Sequence, residues 1–397
     1  MRLIRGSALA AVSAFWLSAA AATGTVPSPS DNSLLKGAAC AKPSNCWAVG
    51  SFQTTTGGGF NQALRWNGKH WRQAKIPQPG GKLSTENNAL DAISCPAASD
   101  CWAVGSYNKD GAKNEVLHWN GKRWSNVRVP QPAGHGSGAV NLLDGVACTS
   151  RSDCWAVGVF TGRSAAFLNE TLHWNGARWS QISAPNPGGT GTDAFNILEG
   201  VSCVSPSDCW AAGDIETSAY FNVVLHWNGN RWAKTKVPQP GHNSGSNLTS
   251  ISCPSASACF AVGEFNTSGG ATLNEALSWH GKKWVRYRTP QPGGSASNHQ
   301  SHLTSVSCTS NTRCWALGYF ARGSSAANLS EALRFTGEKW RRVKTPQPGG
   351  RNTGNDTEPM GVYCASASAC RAVGMVGNGT TLLNLALRWN GKDWATN

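Results

Sequence analysis

Short apolar stretches of strand length recur along the whole chain, separated by segments rich in glycine, asparagine, serine and proline. In residues 90–129 four such stretches follow one another, and Asn120-Gly121 joins the last two. This dipeptide is the strongest short signal for a β-hairpin, because a type I′ turn needs positive φ at both central residues. No stretch has the 3.6-residue period of a helix. The pattern therefore predicts a unit of four antiparallel strands.

The same plan recurs seven times, about every 54 residues. The second strand repeats as C-W-A-V-G with variations, and the hairpin repeats as W-N-G-x-x-W. Four antiparallel strands in a period of this length match one blade of a propeller. We therefore predict an all-β fold: a single seven-bladed β-propeller over residues 23–397. Tryptophans placed so regularly favour core packing between blades over ligand stacking.

Every cysteine belongs to a C-x5-C pair, one pair in each repeat. A metal site is the alternative explanation, but this is not a usual zinc spacing, and an even count in an exported chain favours disulfides. We predict one structural hairpin disulfide per blade: Cys40 with Cys46, Cys95 with Cys101, Cys148 with Cys154, Cys203 with Cys209, Cys253 with Cys259, Cys308 with Cys314, and Cys364 with Cys370.

The N-terminal residues 1–22 predict a signal peptide, with Arg2 and Arg5 before an apolar stretch and three alanines at a suitable cleavage position. The apolar stretch is too short to span a bilayer. We therefore expect a secreted, extracellular protein with no membrane insertion after the signal is removed.

The last repeat ends at Trp394–Asn397, before its fourth strand is complete. The missing ending occurs instead at residues 25–29, with the sequence TVPSP. We predict that this N-terminal segment completes the outer strand of the last blade, so that the two termini close the ring.

The W-A-V-G second strand and the W-N-G-x-x-W hairpin together resemble the secreted bacterial repeat β-propeller proteins, within the kelch-type, galactose-oxidase-like superfamily. The resemblance covers nearly all of the chain after residue 22. It implies a propeller fold and little about activity, since propellers carry many functions. Galactose oxidase has a copper site with a cysteine–tyrosine crosslink. Here every cysteine has a partner in its own repeat, so we expect neither that chemistry nor any cofactor or metal.

The loops between strands 2 and 3, and the connections from strand 4 to the next strand 1, share one face and vary between repeats. Variable loops on a rigid scaffold are the usual place for recognition. For the aromatic candidates the alternative is packing at blade interfaces, and for His299-x-x-His302 the alternatives are a metal site and a solvated loop. The predicted ligand-binding residues are Phe60, Phe167, Tyr220 and Phe221 in 2–3 loops, and His135, His242, His299 and His302 in 4–1 connections.

Two further patterns have open interpretations. Glu115, Glu170, Glu275 and Glu331 recur at one position of the third strand, and three positions later in the repeat recur Arg65, His118, His173, His226, Arg334 and Arg388. They either bind sugars between blades or satisfy one another and the backbone there. Basic residues concentrate on the predicted outer rim of a chain with a net charge of +14. They either protect edge strands from aggregation or attract an acidic polymer.

These observations favour an exported binding or scaffold protein that recognises carbohydrate or an anionic cell-surface polymer, such as a cell-wall glycan, through its variable loops. We expect a monomer that does not bind nucleic acid, because no recognition motif is present. The alternatives are a polysaccharide-active enzyme with a site in the central channel and a structural protein without a specific ligand. No catalytic residue is assigned, since no asymmetric carboxylate pair stands out in the sequence.

Overall fold

The computed structural model describes residues 26–324 and 326–397, and the predicted signal peptide lies outside the described residues. Strands dominate the described part of the chain, and one turn of 3-10 helix occurs at His242–Ser244. Antiparallel pairing groups the strands into consecutive units of four, in the order first, second, third, fourth. We number these units from the N-terminus. Each unit thus has the strand plan that the sequence repeat predicts.

Units 1 to 4 contain the first sixteen strands. Their bounds are β1 (Ser33–Lys42), β2 (Asn45–Gln53), β3 (Gly59–Trp66) and β4 (Trp71–Gln73) in unit 1; β5 (Asn87–Ala97), β6 (Asp100–Asn108), β7 (Ala112–Trp119) and β8 (Trp124–Asn126) in unit 2; β9 (Asn141–Ser150), β10 (Asp153–Thr161), β11 (Phe167–Trp174) and β12 (Trp179–Gln181) in unit 3; and β13 (Phe195–Ser205), β14 (Asp208–Glu216), β15 (Tyr220–Trp227) and β16 (Trp232–Lys234) in unit 4.

Units 5 to 7 contain the remaining twelve strands. Their bounds are β17 (Ser246–Ser255), β18 (Ala258–Asn266), β19 (Thr272–Trp279) and β20 (Trp284–Tyr287) in unit 5; β21 (His299–Ser310), β22 (Arg313–Arg322), β23 (Leu329–Phe335) and β24 (Trp340–Val343) in unit 6; and β25 (Asn355–Ser366), β26 (Ala369–Asn378), β27 (Leu382–Trp389) and β28 (Trp394–Thr396) in unit 7.

The Asn-Gly hairpin differs in detail from the expected type I′ turn. Trp119 pairs with Trp124 across the hairpin, so the loop has four residues instead of two. The Asn120 side-chain oxygen accepts hydrogen bonds from the backbone N–H groups of Lys122 and Arg123, at 3.0 Å each. Gly121 has a φ of 91°, which favours glycine. The tryptophan pair sets the register, and the asparagine side chain then stabilises the turn.

All seven predicted disulfides form, and the described residues include no free cysteine. Each joins the end of a first strand to the start of the second strand of the same unit. Such cross-links stabilise a small unit chiefly by restricting its unfolded chain. The bonds join Cys40 to Cys46, Cys95 to Cys101, Cys148 to Cys154, Cys203 to Cys209, Cys253 to Cys259, Cys308 to Cys314, and Cys364 to Cys370. The disulfides therefore fix one end of every unit in the same way.

Tryptophans fill the junctions between neighbouring units. Trp102 of unit 2 is 2% exposed and lies against Trp174 and Trp179 of unit 3, at centroid distances of 4.8 and 5.4 Å. The same arrangement recurs at five further junctions, with Phe260 as the second-strand aromatic in unit 5. Between units 7 and 1, Arg371 lies over Trp66 at 4.1 Å instead. The tryptophans thus pack between units.

The recurring glutamates are buried between units and bonded to asparagines. Asn114 donates to Glu170 at 2.5 Å, and Asn222 donates to Glu275 at 2.8 Å. Burial raises the pKa of these carboxyls well above the ordinary value. Gln62 and Asn384 exchange the equivalent bonds between units 1 and 7, at 3.0 and 2.8 Å. These glutamates therefore satisfy polar groups between units, which is the second of the two interpretations.

The N-terminal segment lies against unit 7. The Asn384 side chain donates to the Pro27 carbonyl at 2.6 Å, and its backbone N–H donates to the Ser28 hydroxyl at 3.0 Å. Within unit 1, Asn61 makes the same two bonds to Pro77 and to the Gln78 side chain, at 3.1 and 2.7 Å. Residues 27–28 thus make with unit 7 the contacts that residues 77–78 make within unit 1.

Candidate functional site

The first strands of all seven units line one cavity with a volume of about 420 Å³. In every unit the residue four positions before the first cysteine belongs to the lining, and the lining continues from there toward the cysteines. The cavity therefore follows the strand ends that lead into the disulfide turns. The seven residues at this level are Lys36, Asp91, Asp144, Glu199, Thr249, Thr304 and Met360.

The two cysteines of a disulfide differ in their relation to this cavity. Five of the first cysteines belong to its lining, as Cys95 and Cys148 do. All seven second cysteines are at most 1% exposed, lie outside this lining and pack into the hydrophobic clusters of the core. They are Cys46, Cys101, Cys154, Cys209, Cys259, Cys314 and Cys370. They are therefore core residues with a structural role, and they offer no surface to a ligand in the cavity.

The ring of seven residues is asymmetric. Units 1 to 4 contribute one ammonium group and three carboxyls, whereas units 5 to 7 contribute two hydroxyls and a thioether. Lys36 of unit 1 pairs directly with Asp91 of unit 2, and this carboxylate raises the pKa of the Lys36 ammonium. One pair is thus satisfied, and two further carboxyls follow it around the ring.

Asp144 is the least compensated of these carboxyls electrostatically. Its side chain lines the cavity, yet its Oδ2 atom is buried and has no hydrogen-bond partner among the described residues. Burial, and then the carboxylates of Glu199 and Asp91, raise the pKa of Asp144 well above its ordinary value, while Lys36 opposes them. An ionised carboxylate in such a place is costly unless a donor or a cation reaches it.

The hydroxyls of the opposite half of the wall all have partners at this level. The Thr249 hydroxyl donates to the carbonyl of Leu303 in the next unit at 2.7 Å. The Thr304 hydroxyl donates in the same way to Pro359, also at 2.7 Å. Serines on these strands accept bonds from the backbone of the following unit, as Ser305 does from Val362 at 3.0 Å. These hydroxyls join the units and are already committed to the backbone.

The cavity is suited to a polar ligand that supplies hydrogen-bond donors. Its volume falls within the usual range for small-molecule sites, roughly 300–1,000 Å³. Three carboxyls against one ammonium make this wall acidic, although the whole chain is basic. Within residues 26–324 and 326–397, no group of three or more His, Cys, Asp or Glu side chains has a geometry that holds a metal ion.

The four aromatic residues predicted to bind a ligand lie at the starts of third strands instead of in the loops before them. Each pairs with a residue of the second strand, as Phe60 does with Phe52 and Phe167 with Thr161. Phe60 stacks on Phe52 at 5.4 Å, and Phe221 packs against the core that units 3 and 4 share. These contacts agree with the alternative interpretation of packing. None of the four residues, Phe60, Phe167, Tyr220 and Phe221, lines the central cavity.

Two of the predicted histidines lie on connections between units. His242 is exposed within the short 3-10 turn. His135 is also exposed and lines a separate groove between units 2 and 3, with Tyr107, Arg178 and Trp179. Neither residue lines the central cavity. The structure therefore does not bring these two candidates together.

His299 and His302 lie within β21 instead of a connection, because this strand begins early and pairs with Arg322 and Tyr319. The His302 ring contacts the Glu264 carboxylate of unit 5 and stacks on Tyr319 at 4.8 Å. The Glu358 carboxyl of unit 7 is nearby, and burial raises its pKa to about 7. This second group of titratable side chains spans units 5 to 7 and lies outside the cavity lining.

Sequence reasoning missed the four charged residues of the cavity. Each stands alone in its repeat, more than fifty residues from the next, and none belongs to a recognised motif. The available signal was their constant distance from the first cysteine of each pair. Aligning the repeats on that cysteine places Lys36, Asp91, Asp144 and Glu199 at one level.

No protein-family model and no curated protein sequence matches this chain. Among solved structures, it is similar to the GH74 xyloglucanase from Xanthomonas campestris, with 14% identity and a TM-score of 0.55 over 94% of this chain and 54% of that one. This chain thus spans about half the length of the xyloglucanase. At this identity the likeness concerns the fold alone.

Two further structures match less well. They are the β-propeller domain of the Trilobed protease from Pyrococcus furiosus, with 8% identity, TM-score 0.48 and coverage of 91% and 96%, and the Aleuria aurantia lectin in complex with α-methyl-L-fucoside, with 10% identity, TM-score 0.43 and coverage of 91% and 94%. The chain itself consists of repeated four-stranded antiparallel sheets around one cavity, which is the architecture of a β-propeller. In the described part of the chain, no helix is long and apolar enough to cross a membrane.

Proposed function

We propose that this protein is an exported carbohydrate-binding β-propeller whose binding site is the central cavity. One observation carries the proposal: four titratable side chains from four consecutive units converge on one side of a cavity of about 420 Å³. Carboxyls with perturbed pKa values that line a cavity are candidates for a functional site, and Asp144 is such a group. The four titratable side chains are those of Lys36, Asp91, Asp144 and Glu199.

The chemistry of the wall selects the class of ligand. The Asp144 carboxyl lines the cavity and accepts a hydrogen bond from a hydroxyl or an amine. The Lys36 ammonium supplies donors beside it. A neutral sugar offers several hydroxyls in fixed geometry, and an amino sugar adds a cation that the acidic wall favours. An acidic sugar meets repulsion from three carboxyls, so this cavity disfavours it.

The fold is compatible with such a ligand, because the xyloglucanase that shares it is named for a polysaccharide. The seven disulfides support an oxidising, extracellular location, in line with the predicted signal peptide at residues 1–22. The repeats support membership of the WAVG/WNG propeller group. We also propose that residues 23–397 form one domain of seven blades, with residues 25–29 closing the ring. The contacts of Asn384 with Pro27 and Ser28 support this closure.

The test is calorimetric titration with three oligosaccharide sets: neutral glucose oligomers, glucosamine oligomers and galacturonic acid oligomers. We expect the neutral or aminated set to bind in a way that depends on Asp144, and any binding of the acidic set to be unchanged in Asp144→Asn, because the acidic wall disfavours it. Asp144→Asn and Glu199→Gln are expected to weaken binding at least about tenfold, since each replaces a carboxyl that bonds to the ligand.

The matched control is Glu338→Gln, an exposed carboxylate in a hairpin turn outside the cavity lining. It is expected to bind as the unaltered protein does. If no oligosaccharide binds, or if both cavity variants bind normally, the proposal fails. Absence of all binding favours the structural protein without a ligand.

A second function has specific support from Asp144. Its raised pKa keeps a carboxyl protonated closer to neutral pH, while Glu199 lies close enough to perturb it electrostatically. Glycoside hydrolysis uses such a pair, with one carboxylic acid and one carboxylate. The same oligosaccharides, assayed for release of reducing ends, distinguish an enzyme from a binding protein. Turnover that disappears in Asp144→Asn identifies the enzyme.

A further inference from the structure

The units differ at two neighbouring positions near the disulfide turns. One is the third-strand residue before the hairpin tryptophan, and the other is the residue before the second cysteine. In units 2, 3 and 4 a third-strand histidine stacks on the second-strand tryptophan and bonds to an aspartate. His118 lies 4.2 Å from Trp102, and its Nε2 is 2.8 Å from Asp100. His173 with Asp153 and His226 with Asp208 repeat this contact at 2.8 and 2.9 Å. Each histidine in these units therefore has a carboxylate partner.

Unit 1 has a different pair at the same two positions. Arg65 replaces the histidine, and Asn45 replaces the aspartate. The Arg65 guanidinium lies over Trp47 at 5.6 Å and over Trp119 at 5.5 Å, and the residue is exposed. Among the described residues it has no ion pair. The arginine is thus held in place by aromatic rings while its charge remains uncompensated.

Units 6 and 7 extend this departure. Arg334 of unit 6 lies 5.7 Å from both Trp315 and Trp389, and Arg313 replaces the aspartate. In unit 7, Arg371 and Arg388 are direct partners on paired strands. Like charges placed opposite each other destabilise a sheet. Burial and Arg388 lower the pKa of Arg371 to about 10.

These five arginines, which we call the arginine sector, lie in the three consecutive units 6, 7 and 1, and Arg371 of unit 7 contacts Trp66 of unit 1. A cavity of about 90 Å³ between these units is lined by Arg371 and Arg388. Beyond Arg65, a groove of about 650 Å³ between units 1 and 2 adds further cations, and its described lining has no Asp or Glu. The sector comprises Arg65, Arg313, Arg334, Arg371 and Arg388, and the groove adds Arg72, Lys75, Lys122 and Arg123.

We propose that the arginine sector and its groove bind a polyanionic polysaccharide, at a site separate from the central cavity. A guanidinium stacked on tryptophan is pre-organised and presents its donor edge to planar or tetrahedral anions. Arginines in three adjacent units match a chain that carries a negative group at regular intervals. The uncompensated Arg371–Arg388 pair is relieved when an anion lies between the two guanidiniums.

A polysaccharide fits the sector better than a nucleic acid does. Seven disulfides favour an oxidising, extracellular location, away from the cytosol and nucleus where nucleic acids are the usual polyanions. Nucleic acid recognition also uses aromatic faces on which bases stack. Here the tryptophans at these positions are buried between units and covered by the arginines.

The experiment measures binding of the folded protein to heparin, to polygalacturonate and to a single-stranded DNA of equal charge, over a range of NaCl concentrations. Asn45→Asp/Arg65→His copies the compensated pair of unit 2 into unit 1. We expect it to weaken polysaccharide binding about fivefold. Asp100→Asn/His118→Arg makes the reverse exchange in unit 2, and we expect it to strengthen binding by a similar factor.

The control is Lys82→Gln/Arg163→Gln, which removes two exposed positive charges on the variable loops. It lowers the net charge as much as Asn45→Asp/Arg65→His does, yet we expect it to change affinity by less than about twofold. The proposal is overturned if neither polysaccharide binds, if the control weakens binding as much as the unit 1 exchange, or if DNA binds more tightly than both polysaccharides. The gain expected in unit 2 keeps the test valid should the unit 1 variant fail to fold.

Discussion

The two halves of the cavity wall are formed by equivalent first strands but present side chains of different chemistry. At one level of the ring, units 1 to 4 present Lys36, Asp91, Asp144 and Glu199, whereas units 5 to 7 present Thr249, Thr304 and Met360. In the second half the hydroxyls donate to the next unit and hold the ring together. In the first half a buried carboxyl oxygen of Asp144 has no partner among the described residues.

This difference distinguishes a half of the wall that stabilises the fold from a half that is suited to binding a ligand. A hydroxyl that satisfies a buried carbonyl contributes to stability, whereas a buried carboxylate among other carboxylates reduces it. Since the repeats share one backbone plan, threonine would fit all seven positions. The charged half therefore departs from the more stable solution, and such departures concentrate at functional sites.

The largest effect is expected from the hydroxyl half. Thr249→Val/Thr304→Val leaves the Leu303 and Pro359 carbonyls of the following units without the hydroxyl donors that bond to them. We expect the free energy of unfolding to fall by about 2–5 kcal/mol, since an unsatisfied buried polar group costs about 1–3 kcal/mol. Urea denaturation followed by tryptophan fluorescence measures this loss.

The control for that experiment is Thr249→Ser/Thr304→Ser, which keeps both hydroxyls. It should lose less than half as much stability as the valine variant. The valine variant should still bind the oligosaccharide at a temperature where it is folded. Unchanged stability, or binding lost together with intact folding, would remove the distinction between the two halves.

The second prediction is a gain in stability, from a substitution in the charged half of the wall. The pKa of Asp144 is raised in the folded state. Its contribution to stability is therefore fully present below the unfolded pKa, about 3.9, and is lost as the pH rises through the folded pKa. Asp144→Asn avoids that loss. We expect it to match the unaltered protein at pH 4 and to be more stable by about 1–2 kcal/mol at pH 8.

Urea titrations at both pH values test this, and Glu338→Gln again serves as the control because that carboxyl is exposed. A variant that is more stable and yet binds less is the signature of a functional residue. If Asp144→Asn is instead less stable at pH 8, the carboxylate supports the fold and the comparison is wrong.

The fold could be predicted from the sequence because each unit is specified locally. The seven disulfides are confirmed, since a C-x5-C pair needs only the adjacent turn to form. The four-stranded plan is confirmed for the same reason. The prediction of a type I′ turn at Asn-Gly is wrong, because the pairing of Trp119 with Trp124 lengthens the loop. That pairing depends on how the tryptophans pack between units, which no single repeat reveals.

The site could not be predicted in the same way. Asp144 and Glu199 are ordinary acidic residues of their own repeats, and their meeting depends on how the first strands surround one cavity. The predicted site residues followed loop variability instead, and His299 and His302 proved to lie within β21. Variability between the repeats indicates which face of the fold carries the variable loops. It does not indicate which strand residues line the cavity, because that depends on how the units pack around it.

The smallest effect concerns the ion pair at the edge of the charged half. The Lys36 side chain is 43% exposed and that of Asp91 is 17% exposed, so solvent screens their attraction. A double-mutant cycle with Lys36→Met and Asp91→Asn should give a coupling of about 0.2–1 kcal/mol, falling with added salt. Thermal unfolding in low and high salt measures it.

The single variants sharpen the comparison further, because Lys36 is the cation that lowers the pKa of Asp144. Lys36→Met should raise that pKa, so the stability that Asp144→Asn gains at pH 8 should be larger in the Lys36→Met background. In the Asp91→Asn background the same gain should be smaller, since one repelling carboxylate is removed. Opposite changes in the two backgrounds would show that the three side chains interact electrostatically. A gain that is equal in both backgrounds would separate Asp144 from the ion pair and leave burial and Glu199 as the causes of its raised pKa.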